Sequence, residues 1–476
     1  MIQTTRIEEL TALELAELYA LKELSPVEAA ETFLRQIHRL DDQVNAWCFL
    51  DEETTLQQAR ASEERWRRGL ELGLMDGVPV AVKDMFVTAG WPNIKGSKTS
   101  DSAPWAVDSP VVGALRQAGF VALGRTTTPE LGWKGVTDSP LCGATNNPWN
   151  PSKTAGGSSG GSGAAVPLGM APVALGTDAG GSIRIPAGFC GLVGHKPTQG
   201  RIPMWPASAF APLAHPGPMT WTVADAALMM DVMCQPDWRD TTLPANTHSF
   251  LDALEQDVKG LRIAYCPQFG ELAVDPQVAA CVEKAVKIFE LLGAQVEVVA
   301  APFSDPAQSF ATLFYGGAAN AIRDLDADQR AVMDPGLIEV VEWAQTQSLL
   351  DYTAAMNERA ALTETLSRFH QTYDLLLTPT LPLTAFTTGR EVPENWPNPR
   401  WPSWTPFTYP FNLTGQPACS VPCGFDDQGL PVGLQLVGAR HQDALVLAAA
   451  HAYQQAAPLT HLRPKLFGSP LDAQDT

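Results

Sequence analysis

Two glycine- and serine-rich segments form the most chemically informative pattern in the chain. They are residues 154–163 (TAGGSSGGSG) and residues 176–186 (GTDAGGSIRIP), and the apolar run 164–175 joins them. Glycine permits positive φ and close approach to its N–H groups, so successive N–H groups in such a loop can surround a negative charge. A serine hydroxyl inside the loop can attack a carbonyl carbon while the amides hold the resulting oxyanion. The pattern therefore favours nucleophilic catalysis on a carbonyl compound.

Two other interpretations of these segments are disfavoured. Flexible Gly-Ser linkers are repetitive, whereas these segments are short, lack repeats and border apolar sequence. A phosphate-binding loop requires the pattern G-x-x-x-x-G-K-[ST], and no lysine follows Gly161.

A lysine upstream completes the pattern. Residues 77–84 (GVPVAVKD) form a short β-rich segment that leads to Lys83. Together with the two loops, this segment closely resembles the amidase signature family, and the resemblance extends from about position 13 to about position 450. The resemblance implies that Lys83 is the base, Ser158 the bridging residue and Ser182 the nucleophile of a Ser-Ser-Lys triad. It is specific for fold and reaction, and it says little about the substrate.

The residues around the nucleophile have expected roles of their own. By the resemblance, the oxyanion is held by the backbone N–H groups of Ala179, Gly180, Gly181 and Ser182. The residues expected to support the two loops are Gly156, Gly157, Ser159, Thr177, Asp178 and Arg184. For the last two, a charge-assisted pair that holds the loop is favoured over a direct chemical role.

A lysine must lose its proton to act as the base. The usual pKa of roughly 10.4 leaves a lysine charged at neutral pH, but burial beside uncharged hydroxyl groups lowers that pKa. Neutral Lys83 can then take a proton from Ser158, which takes one from Ser182. The same relay in reverse protonates the leaving amine, and activity is expected to rise toward alkaline pH.

No linker separates the parts of the chain, which predicts a single α/β domain. Hydrophobic residues make up 45% and charged residues 18% of the 476 residues, as in a globular protein with a substantial core. We expect a mixed, mainly parallel central sheet with helices on both faces. Its predicted parts are a helical N-terminal wrap (1–70), a catalytic core with both loops (71–240), a variable α/β part (241–370) and C-terminal strands with a closing helix (371–476).

Periodicity places several elements in the second half of the chain. A strand at 261–265, a helix at 276–292 and a strand at 294–299 predict a β-α-β unit. An apolar run at 374–380 predicts a buried strand that ends at a cleft.

Charge, cysteine content and histidine spacing exclude several classes of protein and of binding partner. The net charge of −20 argues against a nucleic-acid partner and against an anionic membrane surface. The N-terminal residues lack the pattern of a signal peptide, and no apolar run reaches the length of a membrane span, so a cytoplasmic protein is expected. Eight cysteines in a chain of this length do not indicate a disulfide framework. No histidine spacing typical of a zinc site occurs, so no metal and no cofactor are expected.

An aromatic segment after the strand at 374–380 bears on the substrate. Its aromatic residues are interleaved with prolines and include Trp396, Trp401, Trp404, Phe407 and Tyr409. Aromatic side chains held by proline turns can line an apolar substrate pocket or close an edge of the core, and the sequence leaves both interpretations open. As pocket walls they would favour anilides and aryl carbamates over glutamine.

Three functions fit the sequence. The first is hydrolysis of a small-molecule amide, aryl carbamate or ester through a serine acyl-enzyme. The second is the glutamine-using A-type subunit of an aminoacyl-tRNA amidotransferase, which needs a polar glutamine pocket and a protein partner. The third is a catalytically silent binding or scaffold protein, which is expected to lack a triad residue, whereas all three are present. No pattern in the sequence indicates the oligomeric state.

Overall fold

The computed structural model describes residues 6–240 and 249–468, and thirteen strands lie within these ranges. They are β1 (Trp47–Leu50), β2 (Pro79–Lys83), β3 (Val121–Thr126), β4 (Asp138–Ser139), β5 (Gly143–Ala144), β6 (Val173–Asp178), β7 (Val193–Lys196), β8 (His215–Thr220), β9 (Arg262–Tyr265), β10 (Gln295–Val298), β11 (Leu375–Pro379), β12 (Ala418–Phe425) and β13 (Pro431–Gly438). The predicted parts 1–70, 241–370 and 371–476 each include some residues outside the described ranges.

Helices occupy much of the remaining chain. They are α1 (Ala12–Leu21), α2 (Pro26–Val44), α3 (Glu52–Arg68), α4 (Pro110–Gln117), α5 (Gly160–Ala165), α6 (Arg184–Cys190), α7 (Val223–Met233), α8 (Pro276–Leu291), α9 (Ala307–Ala321), α10 (Ala327–Ala331), α11 (Pro335–Gln345), α12 (Leu349–Thr372), α13 (Pro410–Leu413) and α14 (Asp443–Ala456). Across the described residues, no helix combines the length and the apolar character that crossing a membrane requires.

One mixed sheet organises the single α/β domain. In the described residues, eleven strands pair in the order β1-β3-β2-β6-β8-β7-β12-β13-β11-β9-β10, and β4 pairs only with β5. The parallel neighbours form two groups, β3-β2-β6 and β11-β9-β10, and the other neighbours are antiparallel. The predicted mixed sheet is confirmed, with its parallel pairs confined to these two groups. The predicted β-α-β unit is also confirmed, because β9 and β10 are parallel and α8 joins them.

Helices cover both faces of the sheet because its strands are apolar on both sides. Val80 and Val82 of β2 belong to one core cluster, together with residues of α7 and α14. Ala81 between them belongs to another cluster, with Phe33 and Ile37 of α2. Since successive side chains of a strand point to opposite faces, the two clusters lie on opposite sides of the sheet. The prediction of helices on both faces is confirmed.

Local capping signals set where the N-terminal helices begin. Ser25 precedes Pro26, which occupies the first turn of α2. The Ser25 side chain accepts a hydrogen bond from the Glu28 N–H, and the Glu28 side chain accepts one from the Ser25 N–H. This reciprocal pair satisfies two N–H groups that the helix itself leaves unpaired.

The pairing of β2 with β6 positions the two loops. The strands are parallel, with Val82 opposite Leu175, so their carboxyl ends lie at the same edge of the sheet. Lys83 at the end of β2 therefore comes beside Thr177 near the end of β6. The first glycine loop leads into α5, and the second connects β6 to α6. Both loops thus meet at the carboxyl edge, where open α/β sheets bind ligands.

Candidate active site

Lys83 lies at the centre of a buried cluster of hydroxyl groups. Its Nζ is 2.7 Å from Ser158 Oγ and 2.9 Å from both Ser159 Oγ and Thr177 Oγ1. The lysine is fully buried, and all three of these partners are uncharged. The base and the bridging serine implied by the sequence are therefore in direct contact.

Burial controls the protonation state of Lys83. Removal from water lowers the pKa of this amine well below its usual 10.5, and the negative charge of Asp178 opposes the effect only in part. A neutral amine has two N–H donors and one lone pair, so one of the three neighbouring hydroxyl groups must donate to it. The cluster can therefore hold an uncharged lysine that accepts a proton.

The first loop fits closely against neighbouring backbone. Gly156 has a φ of +76°. A Cβ atom added to Gly157 would lie 2.5 Å from the carbonyl carbon of Val136, so this position has no room for a side chain. The peptide bond between Gly157 and Ser158 is cis. The backbone at both positions therefore suits glycine, and their supporting role in the loop stays a prediction.

Ser159 connects the first loop to the second. Its N–H donates to the carbonyl oxygen of Ser182 at 3.2 Å, and its hydroxyl donates to the carbonyl oxygen of Thr177 at 3.2 Å. Ser182 itself is largely buried, with 5% of its surface exposed. The two loops are therefore joined at the residue that follows Ser158.

A buried ion pair between Asp178 and Arg184 holds the second loop. Arg184 Nε lies 2.9 Å from one carboxylate oxygen of Asp178, and Nη2 lies 3.0 Å from the other. The guanidinium also donates to the carbonyl oxygen of Thr408 at 2.9 Å and to Asn412 Oδ1 at 2.6 Å. Burial alone would raise the pKa of Asp178, but the charge and hydrogen bonds of Arg184 hold this pKa below its usual range. These contacts are those of a pair that fixes the shape of a loop.

The backbone N–H groups of the second loop fall into two sets. The N–H of Gly181 donates to Asp178 Oδ1 at 2.7 Å. Within the described part of the chain, the N–H groups of Ala179, Gly180 and Ser182 donate to no protein acceptor. Gly181 therefore departs from the sequence prediction, because Asp178 already binds its N–H. The other three predicted groups are free to bind an oxyanion.

A cavity of about 140 Å³ lies at the two loops. Its lining includes Ser158, Thr177, Ala179 and Ser182. Apolar side chains make up most of the remaining wall, among them Met85, Phe86, Leu131, Trp205, Phe210 and Ala214. The other polar residues of the lining are Asn93, Lys95, Ser109 and Ser208. A small molecule bound here would lie against both serine residues of the predicted triad.

Known proteins resemble this chain over nearly its whole length. The family model described as Amidase matches residues 28–447, a range that contains Lys83 and both glycine loops. The chain belongs to the amidase signature family. Within the described residues of this family member, no three His, Cys, Asp or Glu side chains converge as a metal site would require.

Curated relatives in the amidase signature family include hydrolases and amidotransferase components. An acylamidase from Rhodococcus erythropolis is 38% identical over 464 residues, which cover 96% of this chain and 97% of the relative. The A-type subunit of the glutamyl-tRNA(Gln) amidotransferase from Myxococcus xanthus is 36% identical over 479 residues, which cover 94% of this chain and 98% of the relative.

Solved structures of amidase signature enzymes share the fold. A bacterial aryl acylamidase of the family superposes with a TM-score of 0.91 at 31% identity, covering 98% of this chain and 99% of the other. The 6-aminohexanoate cyclic dimer hydrolase complexed with substrate gives a TM-score of 0.88 at 30% identity, covering 97% and 100%. With the family match, these likenesses support an enzyme that hydrolyses amide C–N bonds of small molecules.

The aromatic segment that the sequence offered as a pocket wall lies away from this cavity. Its members are buried in an apolar core cluster or pack against it: Trp396, Trp401, Trp404, Phe407 and Tyr409. None of them belongs to the described lining of the cavity at Ser182, and Tyr409 lines a separate cavity. The ring of Trp401 packs behind the second loop, since a Cβ atom at Gly180 would lie 2.6 Å from it. Of the two interpretations, the core edge fits the structure.

The actual cavity wall contains residues that the sequence prediction missed. Met85, Phe86 and Val87 lie two to four residues after Lys83, and their place after the carboxyl end of β2 was a usable signal. Trp205 and Phe210 lie between β7 and β8, in a segment without regular helix or strand. Neither periodicity nor a motif marks that segment in the sequence.

Replacing Asp178 with alanine should strongly destabilise the fold. The variant leaves the Arg184 charge buried without its partner, which costs about 3–5 kcal/mol of unfolding free energy. Chemical or thermal denaturation of the two proteins measures the loss. The control is Asp324→Ala, which breaks an exposed ion pair in which the Asp324 side chain is 87% exposed, and it should change stability by about 0.5 kcal/mol or less. Equal stability losses in the two variants would contradict the role of the buried pair.

Proposed function

We propose that this enzyme hydrolyses small-molecule amides through an acyl-enzyme on Ser182, with Ser158 and Lys83 as its proton relay. One observation carries the proposal: Lys83 Nζ lies 2.7 Å from Ser158 Oγ, and Ser158 shares a cavity with Ser182. A serine hydroxyl is a weak nucleophile and needs a base nearby. A lysine whose pKa is lowered by burial supplies that base without a carboxylate or an imidazole.

In the acylation step, Ser182 Oγ attacks the carbonyl carbon and a tetrahedral oxyanion forms. The Ser182 proton passes to Ser158, whose own proton passes to neutral Lys83. The lysine proton then returns through Ser158 to the amide nitrogen, the C–N bond breaks, and the amine leaves. Water attacks the remaining ester through the same relay, which releases the carboxylic acid and restores Ser182.

Backbone N–H groups of the second loop are the proposed donors to the oxyanion. Those of Ala179, Gly180 and Ser182 donate to no acceptor among the described residues, which supports this role. Donors that are already fixed in place stabilise the developing charge without reorganisation. The ion pair of Asp178 with Arg184 keeps the loop in the required shape.

Amides with apolar acyl or aryl groups are the proposed substrate class. Phe86, Trp205 and Phe210 give the cavity an aromatic wall, although not from the segment that the sequence indicated. Burial of apolar ligand surface against such a wall contributes about 25 cal/mol per Å². The names of the acylamidase and aryl acylamidase relatives support the same class. Aryl carbamates and esters form a comparable tetrahedral intermediate and belong to the proposed range.

The two alternatives have less support. Glutamine carries an α-ammonium group, and no aspartate or glutamate stands in the described lining of the cavity, so this charge would be unpaired. That observation weighs against the amidotransferase, despite the 36% identical amidotransferase relative. A silent scaffold has no need of a buried lysine in contact with a serine at a cavity.

A substrate panel separates these functions. We expect a 4-nitroanilide or an aryl carbamate to show a kcat/KM at least about 100-fold above that for glutamine, because the glutamine ammonium lacks a partner. The panel contains 4-nitroanilides, aliphatic amides, aryl carbamates, 4-nitrophenyl esters, glutamine and asparagine, with products measured by absorbance and mass spectrometry. An equal or higher value for glutamine would put the amidotransferase first. Folded protein that turns over no member would favour the silent scaffold.

A further inference from the structure

Two buried polar side chains in the active-site cavity lack partners. Asn93 and Ser109 line the cavity, and each is only 4% exposed. Neither the amide of Asn93 nor the hydroxyl of Ser109 makes a hydrogen bond in the described structure. Unpaired buried amides and hydroxyls are rare because each loses its hydrogen bonds to water. In a mostly apolar cavity, such groups indicate that a ligand supplies the missing bonds.

Lys95 brings a positive charge to the same cavity. Its side chain is partly buried, and among the described residues its Nζ makes no hydrogen bond or ion pair. Asp84 is the acidic residue whose charge acts on the pKa of Lys95. Its carboxylate already accepts hydrogen bonds from the N–H groups of Ile94 and Gly96, and its Oδ1 lies 3.4 Å from Arg125 Nη1. Burial lowers the pKa of Lys95, with Asp84 opposing in part, so a bound anion would favour the charged amine.

The backbone holds Lys95 in an uncommon conformation. Lys95 and Leu131 have φ values of +55° and +53°, and the Leu131 N–H donates to the Lys95 carbonyl oxygen at 2.8 Å. Residues other than glycine rarely adopt this region, and those that do cluster at functional sites. Both residues line the cavity. This backbone conformation therefore sets the direction in which the Lys95 side chain leaves the main chain at the cavity.

The N-terminus of α4 adds further donors beside Ser109. Ser109 is the N-cap residue of this helix, but its side chain makes no capping hydrogen bond. Among the described residues, the N–H groups of Val111 and Val112 have no protein acceptor, and Val111 lines the cavity. A helix N-terminus carries partial positive charge and favours anions. The nearby Asp108 is already paired with Arg116 at 2.7 Å.

We propose that the preferred substrate is an amide that carries a carboxylate remote from the scissile bond, bound by Lys95, Asn93 and Ser109. The inference rests on the proposed amide hydrolysis and narrows its substrate to molecules with an apolar body and one anionic end. The carboxylate accepts hydrogen bonds from Lys95 Nζ, Asn93 Nδ2 and Ser109 Oγ. Such a substrate differs from glutamine in having no ammonium group, for which the described lining offers no acidic partner.

Matched anilides test this preference. Succinyl-, glutaryl- and adipyl-4-nitroanilide are compared with butyryl-, valeryl- and hexanoyl-4-nitroanilide, which have the same numbers of acyl carbons. A second series places the carboxylate on the leaving group and compares N-acyl-4-aminobenzoates with the corresponding acylanilides. In at least one series, the acid should have a kcat/KM about 10- to 100-fold above its neutral partner, mainly through KM, because charge-assisted hydrogen bonds form only with the acid.

Variants connect the preference to the named residues. Lys95→Met should reduce the acid-to-neutral ratio of kcat/KM to about one, because the charge contact with the carboxylate is lost. Asn93→Leu is a second variant with the same expected direction. The matched control is Lys98→Met, at an exposed neighbouring position, which should keep the full preference.

Binding to the Ser182→Ala variant separates this inference from the proposed function. Calorimetric titration with the acid and neutral members of both series should show tighter binding of the acid in at least one, and Lys95→Met should remove the difference. Acid-selective binding without turnover of any anilide by the wild type would overturn the proposed function alone. Neutral members bound and hydrolysed as well as the acids in both series would overturn the inference. So would a carboxylate preference that survives in both Lys95→Met and Asn93→Leu.

Discussion

Replacing Ser182 with alanine should lower kcat for an anilide by about 10⁴-fold or more, because the only proposed nucleophile is lost. The fold should remain intact. The carbonyl oxygen of Ser182 still accepts the Ser159 N–H in the variant, so the contact between the two loops is kept. Turnover is measured with a 4-nitroanilide, and the melting temperature and circular dichroism spectrum report on folding.

The matched control for this variant is Ser102→Ala. Ser102 is exposed and lies outside the described lining of the cavity, so its replacement should leave kcat and KM unchanged. Folded Ser182→Ala that keeps kcat within about tenfold of the wild type would contradict a covalent role for Ser182.

Replacing Lys83 with methionine should lower kcat by about 10²- to 10⁴-fold, the range typical of a lost general base. Methionine has a similar length and no charge, so the buried site is not left with an unpaired ion. Ser158 loses the partner that lies 2.7 Å away in the wild type, and its hydroxyl can no longer pass on a proton. The measurement is kcat for the same anilide, with Lys98→Met as the exposed control.

The pH dependence of kcat identifies the lysine as the base. Protonated Lys83 cannot accept a proton, so activity should fall as the pH drops through the apparent pKa of the coupled lysine and serines. Burial lowers the pKa of Lys83, so this midpoint should lie well below 10.5. Above it, Lys83 is neutral and kcat should be independent of the lysine. The acid limb should disappear in Lys83→Met, and its survival there with the same midpoint would show that another group is the base.

Local elements were predictable where one segment carries its own signal. The helix expected at 276–292 is α8 (Pro276–Leu291), and the strand expected at 374–380 contains β11 (Leu375–Pro379). In both, apolar spacing within one stretch decides the element. The strand order of the sheet could not be predicted in this way, because it depends on pairings such as β7 with β12, whose residues are far apart in the chain. No local pattern encodes that pairing.

The same distinction explains which parts of the site could be predicted. Lys83, Ser158 and Ser182 stand in short motifs whose residue types and order carry the chemistry, and the structure brings Lys83 and Ser158 into contact. The pocket wall carries no such motif. Trp401 and Trp404 are aromatic and flanked by prolines, but an aromatic side chain is buried as readily in a core as in a pocket. Lys95 resembles any surface lysine in the sequence, and only its placement at the cavity distinguishes it.

Covalent labelling of the nucleophile is the most direct test of the proposed acyl-enzyme. The protein is treated with an aryl phosphonate or a sulfonyl fluoride, and the product is analysed by intact-mass spectrometry and peptide mapping. We predict one adduct per chain, located on Ser182, absent from Ser182→Ala and formed more slowly in Lys83→Met because the base is missing. An adduct on another residue, or one that forms at the full rate in Ser182→Ala, would contradict catalysis through Ser182.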